Sequence, residues 1–225
     1  MLWNGAKRSD RLNEVRGKGL DRLPVSRSFH ERLVSLNDLD SLGFKEWIFH
    51  PAMLFGSLDK WWGDLGKRQH PHEGLDLCFY RSKEGHIHHL AGDARIPVIF
   101  EGQVMKVSQD FLGKSVFVAH DIYDSNGSQL YTIYGHIKPD DHIRPGEGLS
   151  AGDIIGVIAD TRNSGAVIPR HLHVSVAWIS NSVRLPELGW QTLNDASRVV
   201  LLDPLAVIEC PFSIVPSLMP HLVKD

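Results

Sequence analysis

Gln129-Leu130-Tyr131-Thr132-Ile133-Tyr134-Gly135-His136-Ile137 and His171-Leu172-His173-Val174-Ser175-Val176-Ala177-Trp178 are the stretches whose reading decides the fold. Both are rich in β-branched and aromatic residues, and both read as strands. Successive side chains of a strand point to opposite faces. In the second stretch His171 and His173 therefore project together, with Leu172, Val174, Val176 and Trp178 on the face expected to meet the core. In the first, Tyr134 and His136 are expected to share a face, against Ile133 and Ile137.

Working outward, the texture is β from about residue 66. Gly74 to Tyr80, Val98-Ile99-Phe100, Gly102 to Val107, Ser115 to His120 and Ile154 to Ala159 are further short strands. Turn signals separate them at Ser125-Asn126-Gly127, Pro145-Gly146 and Ala151-Gly152-Asp153. Many short strands at this spacing predict a mainly β fold, an antiparallel sheet or sandwich. There is no βαβ rhythm, no phosphate-cradling glycine fingerprint and no internal repeat. Residues 1–60 read as a small N-terminal appendage of short helices and loops, with an apolar cluster from Trp47 to Phe55 that docks on the main domain. The tail from Leu185 carries a predicted helix over Asn194 to Leu202. A proline-punctuated strap follows, with Pro204, Pro211, Pro216 and Pro220.

The chain has 225 residues, 42% of them apolar and 23% charged, with a formal charge of −3. That is one large domain, or one with an appendage, with enough chain to bury a core. The charge balance gives no footprint for nucleic acid. Two cysteines, Cys78 and Cys210, exclude a disulfide framework and a multi-cysteine zinc module; one bridge between them is neither required nor excluded. No apolar run is long enough to span a membrane. The basic N-terminus has no apolar stretch behind it, so no secretory signal is read and a cytoplasmic location is expected from sequence. Thirteen histidines are the unusual feature.

Metal-competent side chains interrupt apolar strands in three places: His72-Glu73-Gly74-Leu75-Asp76, Tyr134-Gly135-His136 and His171-Leu172-His173. His171 and His173 are a ready pair for one divalent ion, or one ligand and one proton-transfer group. Zinc suits a His/Asp set without thiolates, and a catalytic site takes three protein ligands and keeps one position open. The inventory supplies three ligands with two histidines to spare. His86, His88 and His89 lie in a polar stretch and are expected on a surface loop. His30, His50, His70, His120, His142 and His221 show no partner pattern.

Taken in order, His72…Asp76, Tyr134-Gly135-His136 and His171-Leu172-His173 resemble the H-x-x-x-D, Y-x-H and H-L-H motifs of the LytM and lysostaphin type of zinc endopeptidase. Ile143 to Gly156 is similar to that family's turn-and-strand segment, and Asp203-Pro204-Leu205 to its exit. The resemblance implies a duplicated-hybrid-motif fold over residues 61–210, with residues 211–225 an extended tail. It implies one zinc ion per chain held by His72, Asp76 and His173, with His136 and His171 as catalytic histidines. Tyr134 is a candidate for a hydrogen bond to substrate or for a packing role. The resemblance also implies cleavage of peptide bonds in peptidoglycan crosslinks or stem peptides, in the periplasm or outside the cell.

The sequence departs from the family pattern at Ala166-Val167-Ile168-Pro169-Arg170, where a glycine-rich approach is usual, and at Val174-Ser175, where Phe-Glu is common. Neither departure removes a ligand. Two alternatives remain at this point. One is a non-catalytic LytM-like module of the amidase-activator type. The other is a phosphocarrier resembling the glucose-specific domain of the sugar phosphotransferase system, which does not call for the His72/Asp76 pair.

Overall fold

The computed structural model describes residues 23–160 and 168–216. The expectations for residues 1–22, for Ala166-Val167 and for Pro220 and His221 lie outside the described residues. Among the described residues the first element is α1 (Ser28–Leu36), which buries Phe29, Leu33 and Val34. Thirteen strands follow among the described residues. The first seven are β1 (Phe44–Phe49), β2 (Leu75–Leu77), β3 (Phe79–Ser82), β4 (Ile87–His89), β5 (Arg95–Pro97), β6 (Gly102–Gln109) and β7 (Lys114–Tyr123). The rest are β8 (Gln129–Pro139), β9 (Gly148–Leu149), β10 (Ile154–Ile158), β11 (Leu172–Ile179), β12 (Val199–Leu202) and β13 (Phe212–Ile214), with a short helix α2 (Trp190–Leu193) before β12.

The fold is mainly β, as expected. The large sheet runs β12-β11-β8-β7-β6-β9, with β2 on the free half of β11 and β10 bridging β8 to β5. The small sheet runs β13-β1-β3-β4. All neighbours are antiparallel except β1 and β13. Both sheets close on one core, in which Trp47, Ile48, Phe49 and Phe79 of the small sheet join Leu130, Tyr134, Leu172, Val174 and Val176 of the large one. At about 25 cal/mol per Å² of apolar surface buried, such continuous packing dominates the stability. The run Leu75 to Ser82 passes from β2 in the large sheet to β3 in the small one with Cys78 between them.

Several elements differ from their sequence reading. Phe44–Phe49, expected among helices and loops, is the strand between β3 and β13. Its burial does not alternate, because its last three residues are all covered, and alternation was the signal sought. The helix expected over Asn194 to Leu202 is absent. Helix α2 ends at Leu193, and Val199–Leu202 is a strand paired with Val176 to Ile179. Asn194, Asp195 and Ser197 form the turn between them, through Asp195 bonds to Ser197 and Arg198. Ile87–His89, expected on a loop, is the outer strand of the small sheet; His88 stacks on Tyr80 and His89 packs edge-on against Phe79. Among the described residues, no helix is long and apolar enough to cross a membrane.

Candidate metal centre and groove

Strand β11 organises the site. Leu172, Val174, Val176 and Trp178 enter the core, so the alternation read from sequence holds along this strand. His173 sits on the other face, opposite Asp76 of β2 on one side and Gly135 of β8 on the other. Directly opposed residues share a face, so this pairing alone sets the carboxylate of Asp76 beside the imidazole of His173. Gly74 lets β2 approach: a Cβ there would stand 2.2 Å from the Val174 carbonyl oxygen and 2.7 Å from His173 Nε2.

The geometry is tight. Asp76 Oδ1 lies 2.8 Å from His173 Nδ1 and 3.1 Å from His72 Nε2, and the two nitrogens are 3.2 Å apart. His171 Nε2 lies 3.5 Å from the same oxygen. Each ring is held from behind. His72 Nδ1–H donates to the Leu54 carbonyl at 3.1 Å, and His171 Nδ1–H to the Pro169 carbonyl at 2.8 Å. His173 Nε2 is 2.9 Å from the Ser175 hydroxyl, which can accept its hydrogen. The inward atoms therefore carry lone pairs. Asp76 Oδ2, the outward oxygen, accepts the Trp61 indole N–H at 2.6 Å and has Arg68 at 3.6 Å.

Electrostatics follow from burial. Desolvation works to push Asp76 up, but the side chains of His72, His171 and His173 gathered round it hold it well below the usual carboxylate range. Desolvation pushes His171 down to about 3 against the pull of Asp76, and pushes His173 down as well. Neutral imidazoles converging on an anionic oxygen are a donor set for a cation. His72, Asp76 and His173 each offer a ligand atom, all within 4.8 Å of one another. Ligands at zinc bond lengths stand about 3.3 Å apart in a tetrahedron, close to the spacing seen. Lone pairs packed this closely repel one another unless a cation or a proton lies between them. The residues present fit zinc.

His136 reaches the site by a break in β8. Lys114 pairs with Ile137 and Val116 with Tyr134, so Gly135 and His136 together face Ser115 in a β-bulge. His136 has φ 62°, a left-handed conformation costly for a residue with a Cβ. The extra residue resets the alternation. Tyr134 and His136 do not share a face, contrary to the sequence expectation. Tyr134 lies in the core with its hydroxyl 2.7 Å from the Ile99 N–H it accepts, and it shares a hydrogen bond with Thr132. His136 faces His171 and His173, with ring centroids 4.8 and 5.7 Å away.

The structure thus brings His72, Asp76, His136, His171 and His173 together and leaves Tyr134 on the far side of the sheet. They line a groove of about 370 Å³ with Trp62, Arg68, Glu73, Asp110, Phe111 and Trp190. Sequence reasoning missed Trp61, Arg68, Asp110 and Trp190. Trp61-Trp62 is an adjacent aromatic pair and Asp110 stands three residues before a glycine, but nothing in either pattern says what it faces. His120, also without a legible partner, is buried and links the Glu101 carbonyl to the Thr132 hydroxyl.

Residues 81–185 match the model of Peptidase family M23, the family type that the three motifs resemble. That span holds His136, His171 and His173, while His72 and Asp76 precede it. No curated protein sequence matches the chain. Among solved structures, the chain is similar to lysostaphin in solution, with 17% identity, 85% of this chain and 57% of that chain covered, and a TM-score of 0.44. It is similar to cbpa from L. salivarius REN, with 20% identity, 71% and 86% coverage and a TM-score of 0.43. It is also similar to LytU, with 20% identity, 67% and 78% coverage and a TM-score of 0.41. The chain thus spans little more than half the length of the lysostaphin chain.

Proposed function

We propose that this chain, which carries a Peptidase family M23 segment, is a zinc-dependent endopeptidase that hydrolyses peptide bonds in peptidoglycan crosslinks or stem peptides. The observation that carries the reading is the convergence of His72 Nε2, Asp76 Oδ1 and His173 Nδ1 on one point, with His136 and His171 beside it in an open groove.

Bound by those three side chains, a zinc ion supplies Lewis-acid polarisation of a carbonyl and water acid enough to ionise near neutral pH. The protein does the rest. Leu54, Pro169 and Ser175 fix the ring orientations, as partners behind metal-binding imidazoles do. Trp61 and Arg68 hold Asp76 with one oxygen inward. His136 and His171 divide two tasks, taking a proton from the attacking water and stabilising charge on the carbonyl oxygen or the leaving amine. Trp62, Phe111 and Trp190 give the groove apolar walls for an extended peptide.

The test is metal analysis together with mass spectrometry of purified peptidoglycan digested by wild type, His136→Ala and His173→Ala. The expected result is one zinc per chain in wild type and in His136→Ala, loss of zinc in His173→Ala, and new peptide termini with wild type only. Wild-type turnover by His173→Ala without zinc overturns the reading. Zinc-loaded protein that leaves peptidoglycan uncut while stimulating a separate amidase replaces it with the non-catalytic module.

A further inference from the structure

Asp110 is a buried carboxylate that the three motifs do not account for; its side chain is 2% exposed. It lies just after β6, in the loop that turns into β7. Its Oδ1 accepts the backbone N–H groups of Leu112 at 2.9 Å and Gly113 at 2.7 Å. That much is an ordinary aspartate turn. Oδ2, however, reaches beyond the turn, to the Ser115 hydroxyl at 2.7 Å and to the backbone N–H of His136 at 2.9 Å. The second of these is the donor that the bulge removes from the β7–β8 ladder. Asp110 therefore stabilises the left-handed conformation that turns His136 towards the groove.

The carboxylate also meets the ring. His136 Nδ1 lies 3.2 Å from Asp110 Oδ1. The contact is angled off the N–H line, and this buried nitrogen has no hydrogen-bond partner; a small ring rotation aligns the pair, as such contacts tighten when a substrate is bound. Direction is fixed from the far end. The Trp190 indole can only donate, and it donates to Ser115 Oγ at 3.0 Å. The Ser115 hydrogen then goes to Asp110, and every group around the carboxylate is a donor. Burial works to raise Asp110, but the neighbouring His136 side chain, the His136 backbone N–H and the Ser115 hydroxyl hold it well below the usual range. An ionised carboxylate can only accept, so the hydrogen of a neutral His136 belongs on Nδ1.

We propose that Asp110 is a positioning residue that fixes His136 as the Nδ1–H tautomer, so that its Nε2 lone pair faces the groove as the acceptor for the proton of the attacking water. This rests on the peptidase reading above. In the step, the O–H bond of water breaks as the new C–O bond forms. The proton passes to His136 Nε2 and then to the leaving nitrogen as the C–N bond breaks. Asp110 neither gains nor loses a proton. His171 does not duplicate the arrangement: a neutral carbonyl stands behind it, and its Nε2 points at the ligand carboxylate.

The test uses the zinc-loaded full chain. Nitrogen-15 imidazole spectra, with the His136 signal assigned by its loss in His136→Gln, are expected to show the Nδ1–H tautomer in wild type. The isosteric Asp110→Asn places an amide N–H among donors. It is expected to shift His136 towards Nε2–H and to lower kcat on a peptidoglycan peptide about 100-fold, with KM and zinc content unchanged. A wild-type spectrum with the Nε2–H form overturns the proposal without needing any variant to fold. So does an Asp110→Asn protein that folds with wild-type tautomer and kcat. Should the wild type cut no peptide, the peptidase reading fails, and the spectra still decide whether Asp110 sets the tautomer.

Discussion

Trp61 donates its indole N–H to Asp76 Oδ2 at 2.6 Å, while Oδ1 of the same carboxylate faces His72 and His173. The two residues come from different elements, and the bond ties the long loop after β1 to the metal-competent carboxylate. Trp61→Phe keeps most of the packing and removes the donor. Partners of this kind tune metal affinity by 10–100-fold, so zinc affinity should fall by about that factor with the fold retained. Competition against a chromophoric chelator measures it.

Gly74 is where β2 passes closest to β11. The contacts that a Cβ would make there, 2.2 Å from a backbone oxygen and 2.7 Å from a ring nitrogen, leave no room without moving the strand. Gly74→Ala should cost about 3 kcal/mol by forced repacking and should weaken zinc binding, because Asp76 shifts with β2. Chemical denaturation and metal analysis of the same preparation check both effects.

Tyr134 belongs to the core, so its substitution separates structure from chemistry. Tyr134→Phe leaves the Ile99 N–H buried without its acceptor, which costs about 1–3 kcal/mol. Zinc content and kcat should stay at wild-type values. A lower denaturation midpoint with unchanged turnover is the expected outcome; a fall in kcat at full zinc occupancy would return Tyr134 to the site.

Acid should destabilise the metal-free protein well above the carboxylate range. His171, His173 and His120 are buried and held below their ordinary value of 6.5. Between their folded and unfolded pKa values the unfolded chain binds more protons, so stability falls as pH drops below about 6.5. Asp76 and Asp110, held low in the fold, add a second loss as pH falls below about 3.9. Melting temperatures of chelator-treated protein between pH 8 and 3 should decline in those two stages. A flat profile from pH 7.5 to 5 would show that the histidines are not buried neutral.

How legible each part was depended on the regularity of its strand. Along β11 the alternation is unbroken, and the sequence placed His171 and His173 correctly against Leu172 and Val174. Along β8 one extra residue defeats the same rule, so His136 was assigned to the face of Tyr134. A bulge of this kind is invisible without the partner strand, because what defines it is that Gly135 and His136 together oppose Ser115. Asp110 and Trp61 were illegible for another reason. Each acts from a loop on a residue 26 or 15 positions away, and no local pattern encodes such a meeting.

The run from Leu75 to Ser82 serves both sheets in turn, and this sets where the molecule tolerates a new pair of ends. A circular permutant opened at Cys78 would detach Asp76 from the small sheet that anchors its strand. One opened at Asn126-Gly127, in the turn between β7 and β8, would leave every metal-competent side chain on an intact stretch of chain. The large sheet with its metal-competent side chains therefore does not transplant as a short cassette, and a designer who wants it must carry the small sheet along.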